Sequence, residues 1–420
     1  MHRSLLIVGG SYAACEVASQ ARASGYDEDI IIVSEELELP YHRPPLSKTY
    51  LKSPSEPVML LKTAAFYSSN NIELELGTKV VSIDPGANKA LLSSGVQIAF
   101  DTLALTVGAR ARRLSCAGAD AENVCYLRSI ADARLLSAAV ANAEKIVVIG
   151  GGFIGLEVAS ALIQQQKQVV VIEAENRVLA RAVSPEISEF LSSVHLGHGL
   201  KLLTSRAVRS LVGENHVVRT ILLDDGTSID ADIVIVGIGS VPNLELAQLL
   251  GLHTKDGIVV NSQSRTSRTN VFAAGDCTRF SSPFNPNGTR IESVQNATDQ
   301  ARVAGAVIAG KGKAYEALPW FWSDQYDLKL QIAGVAVGAT ERIVRSATSG
   351  TSVFHFRDDA CVCVESVNRP REHISARLLL AREVIMKRHL QDVDFDIPAL
   401  LKERELETGG GRMLASITRS

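Results

Sequence analysis

Two short stretches of this chain carry residue types suited to holding a dinucleotide. In Gly150-Gly151-Gly152-Phe153-Ile154-Gly155, the glycines at 150, 152 and 155 have GxGxxG spacing and follow the apolar run Ile146-Val147-Val148-Ile149. Such glycines let backbone approach a pyrophosphate, and a helix starting there offers it N–H donors and the positive end of its dipole. Phe153 and Ile154, inside the same turn, complete this expected contact set with Gly239 on a later glycine loop. A second apolar run, Val169–Ile172, ends in Glu173, where an acid accepts hydrogen bonds from an adenosine ribose. A carboxylate there repels a 2′-phosphate, and no basic residue precedes Arg177, so the pattern favours NADH over NADPH.

The same unit occurs earlier in weaker form. Leu5–Val8 leads into a turn where Gly9, Ser11 and Ala14 occupy the three glycine positions, and Ile30–Val33 is followed by Glu35. Serine is small enough for close approach, and alanine at the third position asks the helix to accept a slightly larger contact.

Elements that would position these turns follow from the pattern. Strands apolar on both faces and separated by helices imply parallel sheets covered on each side. Further apolar runs at Leu103–Val107, Ile233–Gly237 and Val271–Ala274 each meet glycine, placing loops at strand ends, where such sheets bind ligands. After about Ala314 the texture changes to aromatic and alternating segments, Trp320–Trp322, Leu328–Val335, Val353–Phe356 and Cys361–Glu365, which read as an antiparallel sheet. A helix is expected over Ser375–Leu390, and the tail with Gly409-Gly410-Gly411 is expected to be mobile. The fold class is therefore α/β, with two doubly wound dinucleotide-binding domains and a small C-terminal α+β domain. The expected division is residues 1–109 with 236–314, residues 110–235, residues 315–404, and a flexible tail over 405–420.

Composition narrows the function classes. The chain is 46% apolar and 21% charged, as soluble globular proteins are, and its net charge of −3 with interspersed signs lacks the basic field of a nucleic-acid binder. No apolar run reaches the roughly 18 residues of a membrane span, and the start lacks a leader pattern, so a cytoplasmic location is expected. The six cysteines are scattered without CxxC spacing, so neither a disulfide framework nor a metal ligand set is expected.

Two fingerprints in one chain, with Ala273-Ala274-Gly275-Asp276 after a late strand, resemble the FAD-dependent pyridine-nucleotide oxidoreductases of glutathione reductase-like, Rossmann-type fold. The loops Leu105–Ala109 and Val236–Asn243 match as well. Finer motifs, Arg43-Pro44-Pro45-Leu46-Ser47-Lys48, Leu127-Arg128, Glu292–Ala297 and Pro319–Gln325, look like the ferredoxin reductases of bacterial oxygenase systems, the putidaredoxin reductase group. That resemblance spans roughly residues 3 to 395; Ser11 and Ala14 are departures within the FAD fingerprint.

The resemblance implies FAD contacts at Gly9, Ser11, Ala13, Ala14, Glu35, Arg43, Lys48, Val81, Arg128, Gly275, Asp276 and Val294, with Glu35 on the ribose and Asp276 toward the ribityl and pyrophosphate region. Lys48 and Glu157 are the polar residues expected nearest the reactive flavin edge, a pair that would favour the anionic reduced flavin; the alternative is a surface lysine and a helix-start glutamate. Trp322 or Trp320 would cover the isoalloxazine ring or else fill a core. The activity implied is hydride transfer from NADH to flavin N5 and single-electron transfer to a [2Fe-2S] ferredoxin serving a cytochrome P450 or a ring-hydroxylating dioxygenase. Arg279, Arg290, Arg302 and Lys329 are candidates for a docking patch, with solvated surface charge the ordinary reading.

Two rivals share the scaffold. A disulfide or peroxide reductase needs a cysteine beside the flavin, and none lies between Glu35 and Tyr67. An NADH-sensing flavoprotein without ferredoxin turnover usually carries further targeting or DNA-binding segments, and none is read here.

Overall fold

The structure is a computed structural model that describes residues 4–347, 350–382, 385–392 and 395–407. It forms two compact units, one of the residues up to Ala182 with Ser188–Ala317, the other of Val183–Ile187 with the residues from Leu318 on.

In the larger unit two five-stranded parallel sheets carry the two glycine turns. The first has the order Val271–Ala273, Thr102–Leu105, Ser4–Val8, Asp29–Val33, Ile72–Glu75. Its central strand pairs in parallel register with both neighbours, Leu6 opposite Ile31 on one side and Leu103 on the other. Leu5, Leu6 and Ile7 are buried whichever face they point to, which is why this strand reads as an unbroken apolar run. The connecting helix Tyr12–Ala23 packs closely on Val294–Ile308, where a Cβ at Gly305 would fall 2.5 Å from the Val17 carbonyl oxygen.

The second sheet has the order Lys201–Leu203, Gln168–Ile172, Lys145–Ile149, Ile233–Val236, Val124–Tyr126. Helix Phe153–Ile163 follows its central strand. Two small antiparallel sheets, Val80–Asp84 with Lys89–Leu92 and Gln97–Ala99, and Val208–Glu214 with Val217–Leu223 and Ser228–Asp230, were not foreseen.

The smaller unit contains the expected antiparallel sheet, in the order Trp320–Gln325, Leu328–Gly334, Ala360–Val367, Gly350–Arg357, Glu341–Ala347; the last strand was not foreseen. The helix expected over 375–390 instead spans Pro370–Leu380. Pro370 presets the first helical φ, and the far end breaks because Ile385 accepts the Cys361 N–H (2.9 Å) at the sheet edge. Lys387–Leu390 is a separate turn, and Ile397–Glu407 closes the described chain. Of the tail expected over 405–420, everything past 407, including Gly409–Gly411, lies outside the described residues. No helix among the described residues is long and apolar enough to cross a membrane.

Candidate active site: two glycine turns and the ion pair that joins them

At the first turn Gly9 adopts φ +117°, and a Cβ there would fall 2.3 Å from the Thr106 carbonyl oxygen. The next strand's end therefore forbids any side chain. Ser11 sits at the N-cap of Tyr12–Ala23, yet its hydroxyl makes no cap bond; it accepts from Arg43 Nε at 3.0 Å. The first N–H groups of this helix are thus unanswered by a capping bond from Ser11.

Arg43 ties the surroundings together. It donates to the Arg128 carbonyl at 2.8 Å and pairs with Glu36, which also takes the Tyr41 hydroxyl. Arg128 in turn pairs with Asp276 at 2.8 Å. Gly275 holds φ +88° beside Ala13 and Ala297, its N–H fixed by Gln300 Oε1 at 2.8 Å. Ser11, Arg43, Arg128, Gly275 and Asp276, chosen from distant parts of the sequence, are thus brought together around the buried Ala13 and Ala14.

Other expected contacts sit at the margin. Glu35 is 71% exposed and 3.6 Å from Lys79, while its neighbour Glu36 takes the inward position. Val81 is half-exposed on Val80–Asp84, and Val294 opens the helix Val294–Ile308.

At the second turn Gly150 adopts φ +107°, and its Cβ would fall 2.4 Å from the Gly237 carbonyl oxygen. A Cβ at Gly155 would fall 2.1 Å from the Gly150 carbonyl oxygen, so helix and turn touch without room for a methyl. Glu173 reaches back into this turn, accepting from Gly151 N–H at 2.7 Å and from Glu175 N–H at 2.8 Å. Gly152 is the N-cap and offers no side-chain cap bond; Phe153 and Ile154 begin the helix, Ile154 exposed. Gly239, at φ +102°, lies in open space after Ile233–Val236.

Lys48 and Glu157 meet: Nζ lies 3.0 Å from Oε1, and the Ser47 hydroxyl donates to the other carboxylate oxygen. Lys48 follows the first βαβ unit and Glu157 lies one helical turn into the second, with Glu157 nearly fully buried. A charge so placed is costly unless paired, and here it has both an ammonium and a hydroxyl. The alternative of a surface lysine and a glutamate serving a helix start does not hold, because the two close on each other.

Sequence reasoning missed several residues of this region. The Tyr12 hydroxyl meets His42 Nδ1 at 2.9 Å; burial raises the Tyr12 phenol to about 12 and lowers the His42 imidazole below its usual range. Tyr41 also accepts the Ile130 N–H at 2.8 Å. Only the sequence proximity of Tyr41-His42-Arg43 to the Pro-Pro-Leu-Ser-Lys motif could have flagged them.

All six cysteines are free, and burial pushes Cys15 up to about 11 and Cys277 and Cys361 to about 12. No His, Cys, Asp and Glu group among the described residues has metal-site geometry. Of the docking candidates, Arg290 is mostly buried and paired with Glu292, and Arg302 is bonded to Glu16 and Asp299, so neither offers an uncompensated charge. In the smaller unit Trp320 and Trp322 share one sheet face with ring centroids 5.3 Å apart, and Arg377 stacks over Trp320 at 4.7 Å.

Two family models match the chain: pyridine nucleotide-disulphide oxidoreductase over residues 3–301 and reductase C-terminal over residues 320–401. Rhodocoxin reductase of Rhodococcus erythropolis is 41% identical over 398 residues, covering 94% of this chain and 93% of that protein. The crystal structure of the ferredoxin reductase for the CYP199A2 system from Rhodopseudomonas palustris superposes with a TM-score of 0.92 at 37% identity, over 95% of this chain and 99% of that one. The covalent putidaredoxin reductase–putidaredoxin complex gives a TM-score of 0.90 at 36% identity, over 97% and 99%.

Proposed function

This chain belongs to the pyridine nucleotide-disulphide oxidoreductase family, and from that premise we propose that it is an FAD-containing, NADH-dependent ferredoxin reductase. Its acceptor is a [2Fe-2S] ferredoxin that serves an oxygenase, a cytochrome P450 or a ring-hydroxylating dioxygenase. The observation that carries the reading is the Lys48–Glu157 pair, since it joins the element after the first nucleotide turn to the helix of the second.

The residues present fit FAD. Gly9 and Gly275 form a cradle that a Cβ would fill or strain, an uncapped helix start faces it, and Arg128 and Asp276 flank it. FAD held there would supply the conversion of a hydride pair from NADH into the single electrons that a one-electron acceptor requires.

The protein's share is binding, orientation and electrostatics. Ser11, Ala13 and Ala14 give the pyrophosphate backbone N–H donors, while Gly9, whose own N–H goes to the Val33 carbonyl at 2.8 Å, leaves the turn without a side chain; Arg43 and Arg128 add positive charge; Asp276 holds hydroxyl groups of the ribityl chain. Gly152, Phe153, Ile154 and Gly155 do the same for NADH, Gly150, whose N–H goes to the Ile172 carbonyl at 2.8 Å, and Gly239 leave room for it, and Glu173 takes its ribose and excludes a 2′-phosphate. Lys48 supplies a cation at the reactive edge, and Glu157 fixes where that cation stands. Functionally we divide the chain into an FAD domain of residues 1–109 and 236–314, an NAD domain of 110–235 and a C-terminal domain of 315–404. Six reduced cysteines support a cytoplasmic location.

Anaerobic addition of NADH to the purified protein should bleach the visible flavin bands, and a [2Fe-2S] ferredoxin should then support cytochrome c reduction. Bleaching without ferredoxin-dependent turnover would leave the cofactors and remove the partner; absence of flavin would remove the whole reading. Lys48→Ala is expected to slow bleaching about tenfold or more while flavin stays bound.

A further inference from the structure

The smaller unit buries a carboxylate that the reaction does not use. Glu365, in the strand Ala360–Val367, is 1% exposed, and a buried charge persists only with close partners. One is His355, whose Nε2 lies 3.1 Å from Oε1. The other is Ser184, far upstream: its N–H lies 3.1 and 3.0 Å from the two carboxylate oxygens, and its hydroxyl donates to one of them at 2.5 Å. Ser184 also accepts the Ile187 N–H at 3.4 Å, which makes it the cap of the helix Pro185–Gly197. A negative charge is well placed there, against the positive end of the helix dipole.

The chain just before Ser184 is the piece that covers the second nucleotide turn. Leu179 donates its N–H to the Gly151 carbonyl at 2.9 Å, and Val178 would leave a Cβ at Gly151 only 3.0 Å. Leu179 is held at φ +53°, where a leucine rarely sits. Ala182 N–H returns to Leu179 at 2.8 Å, and Arg177 donates to the Ala180 carbonyl at 2.8 Å. Residues 177–182 are therefore a tight, internally bonded turn. Its far side is held too, since the Ser188 hydroxyl donates to the Val178 carbonyl at 2.6 Å. The turn thus links the backbone that leads to Ser184 with the Gly151 carbonyl.

We propose that Glu365 is a positioning residue for NADH, holding through Ser184 the turn that closes over Gly151. It touches neither coenzyme nor flavin. The inference rests on NADH binding at the second glycine turn, and its consequence is that the C-terminal sheet sets coenzyme affinity and leaves the chemistry alone.

The test uses the flavin-loaded, full-length protein and stopped-flow flavin reduction over a range of NADH concentrations, which separates Kd from the limiting rate. Ser184→Ala removes one hydroxyl and keeps the N–H bonds; Glu365→Gln keeps the shape and removes the charge. Both should raise the Kd for NADH by roughly three- to thirtyfold while the limiting rate stays within about twofold. Glu365→Asp should fall between wild type and Glu365→Gln. An unchanged Kd in Ser184→Ala and Glu365→Gln, or a limiting rate that falls in step with affinity, would overturn the proposal. Failure of the wild-type protein to bleach with NADH would instead reject the underlying function, so the two failures are told apart. If Glu365→Gln does not fold, Ser184→Ala decides alone.

Discussion

In both nucleotide turns the leading glycine is pressed against a carbonyl at the end of a neighbouring strand: a Cβ would fall 2.3 Å from Thr106 O at Gly9 and 2.4 Å from Gly237 O at Gly150. The turns part company three residues into the helix. Gly155 touches the Gly150 carbonyl, whereas the equivalent Ala14 is fully buried with its methyl accommodated. The acids differ as well. Glu173 folds back onto Gly151, while Glu35 points outward and leaves its side of the turn to Ser34, whose hydroxyl would lie 2.3 Å from a Cβ on Gly10. The first glycine is thus demanded by the strand–turn geometry common to both copies, and the third only by how closely each helix docks. A fingerprint with one strict glycine can therefore keep the same strand–turn geometry.

The largest effects expected from this comparison are at Gly150 and Gly155. Gly150→Ala meets backbone at 2.4 Å in a left-handed conformation, and Gly155→Ala meets it at 2.1 Å. Each should cost ~3 kcal/mol or more locally. Flavin reduction by NADH should fall at least about a hundredfold while the protein remains yellow. Loss of flavin together with NADH binding would break the comparison, because the two turns would then not be independent.

How far each turn was legible follows from the kind of constraint involved. The parallel strands showed because burial on both faces leaves unbroken apolar runs such as Leu5–Val8 and Ile146–Ile149. Close backbone approach showed as glycine. The small sheets over 80–99 and 208–230 did not, because their strands are partly exposed, lack a clean alternation and pair with register shifts. Side-chain pairings between remote positions, Arg43 with Ser11, Arg128 with Asp276, or Ser184 with Glu365, leave no local signal. The family motifs marked Arg43, Arg128 and Asp276 individually without saying that they form one connected network. The helix at Pro370–Leu380 was misplaced because its end is set by Ile385 pairing across the sheet edge, a tertiary cause.

A smaller effect sharpens the contrast between the acids. Glu173→Ala removes the bond to Gly151 in the second turn, the local bond to Glu175 N–H and the repulsion of a 2′-phosphate. The ratio of kcat/KM for NADH over NADPH should drop about tenfold or more. Glu35→Ala, by contrast, should leave that ratio unchanged and alter flavin retention by no more than about twofold, since its exposed pairing with Lys79 is worth little. A shift in coenzyme preference from Glu35→Ala would mean that the copies had been assigned to the wrong nucleotides.

The turns should also differ in acid. Beside the first, His42 is held below the ordinary histidine value near 6.5 by burial, bonded to Tyr12 at the helix start. A lowered histidine adds stability that is fully present above that ordinary value and is lost as pH falls through the depressed one. Flavin release should therefore rise below about pH 6, and His42→Gln should flatten the rise. Flavin fluorescence against pH in the two proteins measures it; equal slopes would remove His42 from the first turn's account.

The smallest effect tests the third position directly. Ala14→Gly restores the consensus glycine, but the helix Tyr12–Ala23 already stands far enough from the strand to seat a methyl. The substitution therefore relieves no clash. It adds backbone freedom in the first turn of a helix and empties a small buried volume, each unfavourable, for a net loss of about 1 kcal/mol. Thermal unfolding of the flavin-loaded protein should show a Tm lower by a few degrees with NADH kinetics unchanged. A rise in Tm would show that the alanine strains the first turn, and the difference between the two copies would then be a tolerated defect and not a different helix spacing.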